Sequence, residues 1–190
     1  LTSNGFSCGM FATSNITVAD KANVDVKCRS KYKNTNFYSP NKVVYGIYSE
    51  NGDIKLSGTG TKNIEHTCPV DFAQAKEAKG VYAQNDREKG GGKIEISGAK
   101  LTIKMPGEGV GIESYYDCVI KNADISIVAA EQGIAVNGYA TPSATFKGVT
   151  ITKSKIYIST LGFTSNGNQG GIAGIKIYNA ELSIFDSNVY

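Results

Sequence analysis

Tryptophan is absent from this 190-residue chain, histidine occurs once, proline four times and arginine twice. A single histidine, His66, excludes a histidine-rich metal centre, and His66-Thr67-Cys68 is a poor seed for a zinc site that needs three or four ligands. Any Ser-His or Cys-His mechanism would rest on that one ring. No apolar run approaches the roughly 18 residues of a membrane-spanning helix. The net charge of +3 is too small to argue for a nucleic-acid partner. The four cysteines, Cys8, Cys28, Cys68 and Cys118, show no Cys-x-x-Cys spacing. They read as small buried side chains, or as two disulfides with three pairings open in a secreted chain. With 19% charged and 41% hydrophobic residues, a disordered or collagen-like chain is also excluded.

What is abundant is glycine, at 22 residues, and tyrosine, at 11, among many Val, Ile and Thr. That composition reads as mostly β with tight turns. A repeat runs through it. Glycine followed by an apolar residue recurs as Gly9-Met10, Gly46-Ile47, Gly80-Val81, Gly109-Val110, Gly133-Ile134 and Gly171-Ile172. A strip of period 2 follows each: Ile16–Val18, Ile54–Leu56, Ile94–Ile96, Cys118–Ile120, Val149–Ile151 and Ile175–Ile177. After a polar gap comes a third strip: Val24–Val26, Lys62–Ile64, Leu101–Ile103, Ile125–Ile127, Ile156–Ile158 and Leu182–Ile184. In the gap, Gly98, Asn122 and Asn179 are residues that tolerate a left-handed backbone, and Lys153 departs from that pattern.

The glycine heads are 37, 34, 29, 24 and 38 residues apart, so the strips stay constant while the connectors vary. Solenoids behave in this way, because insertions leave through one face while the rungs stay stacked. Three strips per unit fit the three faces of a parallel β-helix, here of six coils in a rod roughly 29 Å long. Asp71 and the Ala-rich run to Ala78 predict one short helical insertion. The alternative is an antiparallel sandwich of hairpins, with Glu95 facing Lys100 and Lys176 facing Glu181. The glycine-headed strip before each pair favours the solenoid.

The segments Gly46–Gly58 and Gly92–Ile103 resemble rungs of bacterial right-handed parallel β-helix proteins. The Gly/Asn bend between two strips is similar to the asparagine-bearing turn of the pectate-lyase-like superfamily. The resemblance covers about residues 9–186 and is closest to non-catalytic, carbohydrate-binding or adhesin-type surface proteins. It implies an extracellular module whose partner is a polysaccharide or cell-surface glycan, with no nucleic acid and no membrane insertion. The chain opens at Leu1 without a leader, which a cleaved secretory signal or a boundary cut within a longer chain would both explain. Residues 1–190 are therefore expected to form one β-solenoid domain, the mature part or a piece of a larger secreted protein.

Two groups of residues are candidate ligand sites. If Ile47 and Val81 point inward, Tyr48 and Tyr82 point outward on adjacent rungs, with Tyr115, Tyr116 and Tyr139 soon after the same strip. Such a row is an aromatic platform for sugar rings, or else a cover over the core edge. The connector 27–46 carries Lys27, Arg29, Lys31, Lys33 and Lys42 with Tyr32, Phe37 and Tyr38 and no acidic residue. It would suit an acidic polysaccharide, or be an ordinary solvated insertion. On the third strip, the outward residues Asp25, Asn63, Thr102, Ser126, Tyr157 and Ser183 form a small polar face.

No cofactor is expected. Calcium is the one ion considered, at Glu50, Asn51, Asp53, Gln84, Asn85 and Asp86, and no EF-hand or nonapeptide spacing supports it. Catalysis is set behind binding. A lyase of the resembled superfamily uses a basic proton abstractor, yet Arg29 and Arg87 lie off the strips. A hydrolase needs two carboxylates about 5–9 Å apart, and no outward pair of that kind stands on the strips. A structural stalk is the remaining reading.

Overall fold

Side chains alternate across a strand, so a φxφ strip buries two side chains and exposes one only if a sheet covers a core. The computed structural model, which describes residues 6–29, 43–67, 77–84, 92–105, 109–137, 148–161, 172–178 and 180–190, realises this three times per coil. The first sheet holds β1 (Phe6–Ala12), β4 (Val43–Ser49), β7 (Glu77–Ala83), β10 (Val110–Ser114), β13 (Gln132–Asn137) and β16 (Ala173–Tyr178). The second holds β2 (Ile16–Val18), β5 (Ile54–Ser57), β8 (Ile94–Ser97), β11 (Cys118–Lys121), β14 (Val149–Thr152) and β17 (Leu182–Phe185). The third holds β3 (Val24–Arg29), β6 (Thr61–Thr67), β9 (Lys100–Met105), β12 (Asp124–Ala129), β15 (Lys155–Thr160) and β18 (Asn188–Val189).

Every strand pairs in parallel with the strand three places on in the chain. The protein is a parallel β-helix of six coils, and the antiparallel sandwich is excluded. Glu95 does not face Lys100. It lies beside Lys55 on the preceding coil, with the charges 3.7 Å apart on the exposed side of the second sheet. The predicted helical insertion falls on residues 71–76, outside the described residues, while Glu77 and Ala78 belong to β7.

The core is built of rows running along the rod. In the second sheet Ile16, Ile54, Ile94, Cys118 and Val149 form one buried row, and Val18, Leu56, Ile96, Ile120 and Ile151 another. Burying each aliphatic side chain contributes roughly 1.5–3 kcal/mol. Leu182 and Ile184 continue these rows on the last coil, where they are exposed.

Two assignments read from the sequence are corrected by the register. The fourth and sixth coils are headed by Gly111-Ile112 and Gly174-Ile175, because Ile112 pairs with Val81 and Ile134, and Ile175 with Ile134. In the last coil each strip therefore moves by one sheet. Ile175–Ile177 lies in the first sheet and Leu182–Ile184 in the second, so Ser183 follows Thr150 and leaves the row Asp25, Asn63, Thr102, Ser126, Tyr157. Periodicity alone could not detect this, since all three strips share period 2.

The corrected glycines form a column: Gly9, Gly46, Gly80, Gly111 and Gly133. A Cβ on Gly80 would stand 2.5 Å from the Gly111 carbonyl oxygen and 2.7 Å from Cγ2 of Ile103. On Gly46 it would stand 2.5 Å from the Gly80 oxygen and 2.4 Å from Cγ2 of Ile64. The next coil's backbone and an isoleucine of the third sheet fill the space where a side chain would go.

A second column turns the chain between the second and third sheets. Asp20, Gly58, Gly98, Asn122, Lys153 and Asp186 all have positive φ, from 48° to 79°. Lys153 thus adopts the left-handed backbone despite its side chain, and Asn179 lies outside the described residues. The coil-to-coil ladder continues through the bend: the Gly98 N–H donates to Lys121 O at 2.9 Å and the Asn122 N–H to Thr152 O at 3.0 Å. The second coil has extra residues here, and Lys62 fills the bulge. Its side chain occupies an inward position beside Leu101, fully buried, and the ammonium donates to the carbonyls of Ser57 (2.8 Å), Gly58 (3.3 Å) and Gly60 (2.7 Å).

The glycine column predicts a contrast measurable by thermal unfolding. Gly80→Ala should destabilise by about 1–3 kcal/mol through overpacking. Gly174→Ala, where a Cβ meets nothing within 4 Å, should change stability by less than about 0.5 kcal/mol. Equal effects at both positions would contradict the close-approach argument.

Candidate functional site

The residue after each head on the first sheet points away from the core, and the register aligns Phe11, Tyr48, Tyr82, Glu113, Ala135 and Lys176 in one outward row. A parallel row holds Cys8, Tyr45, Lys79, Val110, Gln132 and Ala173. The first three coils are thus aromatic and the next three polar or small.

Tyr48 and Tyr82 are neighbours, as read from the sequence, with rings stacked at 5.3 Å and 10°. They do not form an open platform, being only 7% and 3% exposed. Phe11, Tyr45 and Tyr115 pack around them at centroid distances of 4.7 to 6.1 Å. The Tyr48 hydroxyl donates to Oε1 of Gln84 at 2.6 Å. Burial first, then Glu113, Tyr115 and Tyr45, pushes the Tyr82 hydroxyl above its ordinary pKa. Tyr45, Tyr48 and Tyr82, with Tyr115 packed against them, form a satellite core on the outside of the sheet, and Phe11 at its end is 52% exposed. Tyr116 is half-buried at the following corner, and its N–H donates to Gly92 O at 3.1 Å. Tyr139 lies outside the described residues. So do Lys31, Tyr32, Lys33 and Tyr38 of the basic connector, and Arg29 is described only as the last residue of β3.

Where the aromatic stack ends, polar chemistry begins. The Lys79 ammonium sits 3.5 Å from the centroid of the Tyr82 ring and 3.0 Å from Oε1 of Glu113. The two side chains are 8% and 9% exposed. Asn137 Nδ2 donates to the same Oε1 at 2.8 Å. Beyond them the row drops to Ala135, leaving a cleft of about 300 Å³. Lys79, Glu113, Glu131, Gln132, Asn137, Lys176 and Tyr178 are among its lining residues. The Glu131 carboxyl is raised above its ordinary pKa by burial, opposed by Lys176 and reinforced by Glu113. Lys176 Nζ lies 4.9 Å from the centroid of the Tyr178 ring, which is 48% exposed at the rim. The Gln132 residue is 8% exposed, and its side chain lines the cleft.

Sequence reasoning missed this cleft because Gly109 was aligned with Gly80. Placing Gly111 in the column puts Glu113 directly after Tyr82 in the row, and Gly174 does the same for Lys176.

The other candidate chemistries are absorbed by the scaffold. Asn15 Oδ1 accepts the Asp53 N–H at 2.8 Å, and Asp53 Oδ1 accepts the Lys93 N–H at 3.0 Å, so these oxygens stitch coil corners. Asn85 and Asp86 lie outside the described residues. Among the described residues no cluster of three His, Cys, Asp or Glu could hold a metal ion. Cys8, Cys28 and Cys118 are unbridged thiols, and burial pushes Cys8 and Cys118 up to about 12. His66 lies opposite Cys28 on the inward side of the third sheet, where burial lowers its pKa.

Comparison with family models, with curated proteins and with solved structures returns no match to this chain. The fold therefore rests on its own strand pairing, and the cleft on its own geometry.

Two predictions follow from these burials. Because the folded pKa of His66 is depressed, unfolding takes up a proton. Stability should be complete above the ordinary value of about 6.5 and fall below it, by up to about 1.4 kcal/mol per pH unit, until the folded pKa is reached. Chemical denaturation of His66→Met should lack that step, and parallel curves for both proteins would contradict it. Lys79→Met should cost about 3–5 kcal/mol in urea unfolding, because it leaves Glu113 enclosed without its cation. The double variant Lys79→Met/Glu113→Leu should recover a large part of the loss.

Proposed function

We propose that this chain is a non-catalytic β-solenoid module that binds carbohydrate on the outward face of its first sheet. On this reading it belongs to an extracellular bacterial surface protein of the pectate-lyase-like, adhesin type. The observation that carries the reading is the cleft at the end of the tyrosine stack. Its back wall presents carboxylate and amide groups, and an exposed tyrosine stands at its rim. Sugar rings combine an apolar C–H face with a rim of hydroxyls, and they are bound by that combination of aromatic surface and planar hydrogen-bonding groups. The left-handed column through Gly98 and Asn122 supports the superfamily resemblance, since it occupies the bend on which that resemblance was drawn. The partner is a polysaccharide or cell-surface glycan. On this reading the ligand lies in the cleft beside Glu113, Gln132 and Tyr178 rather than on the basic connector 27–46.

A second reading has one observation in its favour. Glu113 and Glu131 line the same cleft, and Glu131 is held above its ordinary pKa. Two carboxyl groups on one cleft, one of them with a raised pKa, are the groups that glycoside hydrolysis uses. The Lys79 and Asn137 contacts occupy Glu113 Oε1 and favour binding over chemistry.

The test is a glycan array carrying neutral and acidic polysaccharides, probed with the intact chain, followed by an assay for new reducing ends. Retention of at least one glycan without bond cleavage is expected. Cleavage abolished by Glu131→Gln would replace the binding reading with hydrolysis. Absence of binding to every glycan would leave a structural stalk.

A further inference from the structure

The charges of the cleft narrow what it can take. Two lysines and two glutamates line it among the described residues. Lys79 is engaged by Glu113 at 3.0 Å and by the Tyr82 ring. Lys176 faces Glu131 electrostatically and lies against Tyr178. The two cations and the two carboxylates balance, so these residues leave no net positive charge to hold an acidic ligand. Desolvating a uronate carboxylate beside Glu113 and Glu131 would be opposed by both. A metal cation meets the same obstacle with opposite sign, because both lysines line the wall.

The remaining chemistry is neutral. The Gln132 side chain lines the cleft, where its amide offers a ligand both a donor and an acceptor. A ligand that supplies both an acceptor and a donor matches such an amide. A carboxylate offers only acceptors, whereas a pair of neighbouring hydroxyls offers both. Asn137 gives one amide hydrogen to Glu113 and keeps its carbonyl oxygen for another partner. The volume of about 300 Å³ sits at the small end of ligand pockets, the size of one or two sugar rings.

We infer that the cleft binds a neutral pyranose, with a vicinal diol hydrogen-bonded to Gln132 and the ring face laid on Tyr178, and that it discriminates against uronic acids. The inference rests on the carbohydrate reading above and specifies its ligand. Isothermal titration of the intact chain with neutral gluco-, galacto- and manno-oligosaccharides, and separately with oligogalacturonate, at low and high salt, tests it. Binding of a neutral oligosaccharide, insensitive to salt, is the expected result. Gln132→Ala should weaken that binding by about tenfold or more, the equivalent of one hydrogen-bonded pair. Tyr178→Ala, at an exposed position that the fold does not need, should weaken it similarly while leaving the unfolding temperature unchanged. Tighter, salt-sensitive binding of oligogalacturonate would overturn the neutral class and leave the carbohydrate reading in place. Neutral binding unaffected by both variants would overturn the assignment to this cleft. Failure of every saccharide to bind would overturn both readings together.

Discussion

The close approach of coils at the glycine column is the constraint on which the rest of the molecule depends. At Gly46, Gly80, Gly111 and Gly133 the space of a missing Cβ is filled from two directions, by the next coil's carbonyl oxygen and by Cγ2 of an isoleucine from the third sheet. One position therefore fixes two relationships. It sets the coil-to-coil register of the first sheet and the distance between the first and third sheets. Interiors packed at crystal-like density accept no extra methyl at such a point. Because each coil repeats the contact, the inward rows line up along the rod, and so do the outward ones.

Alignment of rows explains the polar residues in a largely aliphatic interior. Lys62 and His66 occupy inward positions on the same strand of the third sheet. Lys62 is tolerated because its ammonium closes a widened bend on three carbonyls. Such a lysine stands in for the backbone partners that a longer loop has lost, which is why the inserted residues of the second coil do not disturb the strands around them. Ser154 does comparable work later in the chain. It accepts the Ala123 N–H at 3.1 Å and donates to Thr152 O at 2.8 Å inside the bend column.

The same alignment makes the outward face of the first sheet into two chemically different halves. Tyr45, Tyr48 and Tyr82 on the second and third coils pack on one another and are buried, so their contribution is to stability and to shielding Lys79. Smaller residues on the later coils, Ala135 and Ala173, leave room beside Glu113 and Gln132. The stack and the cleft belong together physically. The Tyr82 ring and the Glu113 carboxylate share the Lys79 ammonium, and this pairing keeps the wall of the cleft in place without a net charge. A fixed and compensated wall suits recognition by hydrogen bonds more than attraction of a polyion.

The sequence by itself determined the architecture. Period-2 strips, a glycine before each set and left-handed-tolerant residues at Gly98 and Asn122 all express local geometry, and local geometry is written in consecutive residues. It also placed Tyr48 beside Tyr82, since two units of similar length share one phase. The tertiary structure decided the phase of the fourth and sixth coils, where Gly109-Val110 and Gly171-Ile172 imitate the true heads, Gly111-Ile112 and Gly174-Ile175. It decided that Tyr48 and Tyr82 are buried, and that Glu113, Gln132 and Lys176 line one cleft. Those outcomes depend on which residue lies one coil above another, a relation set by stacking through connectors of unequal length. No window of neighbouring residues contains it, because the contact that enforces it is made only when two coils touch.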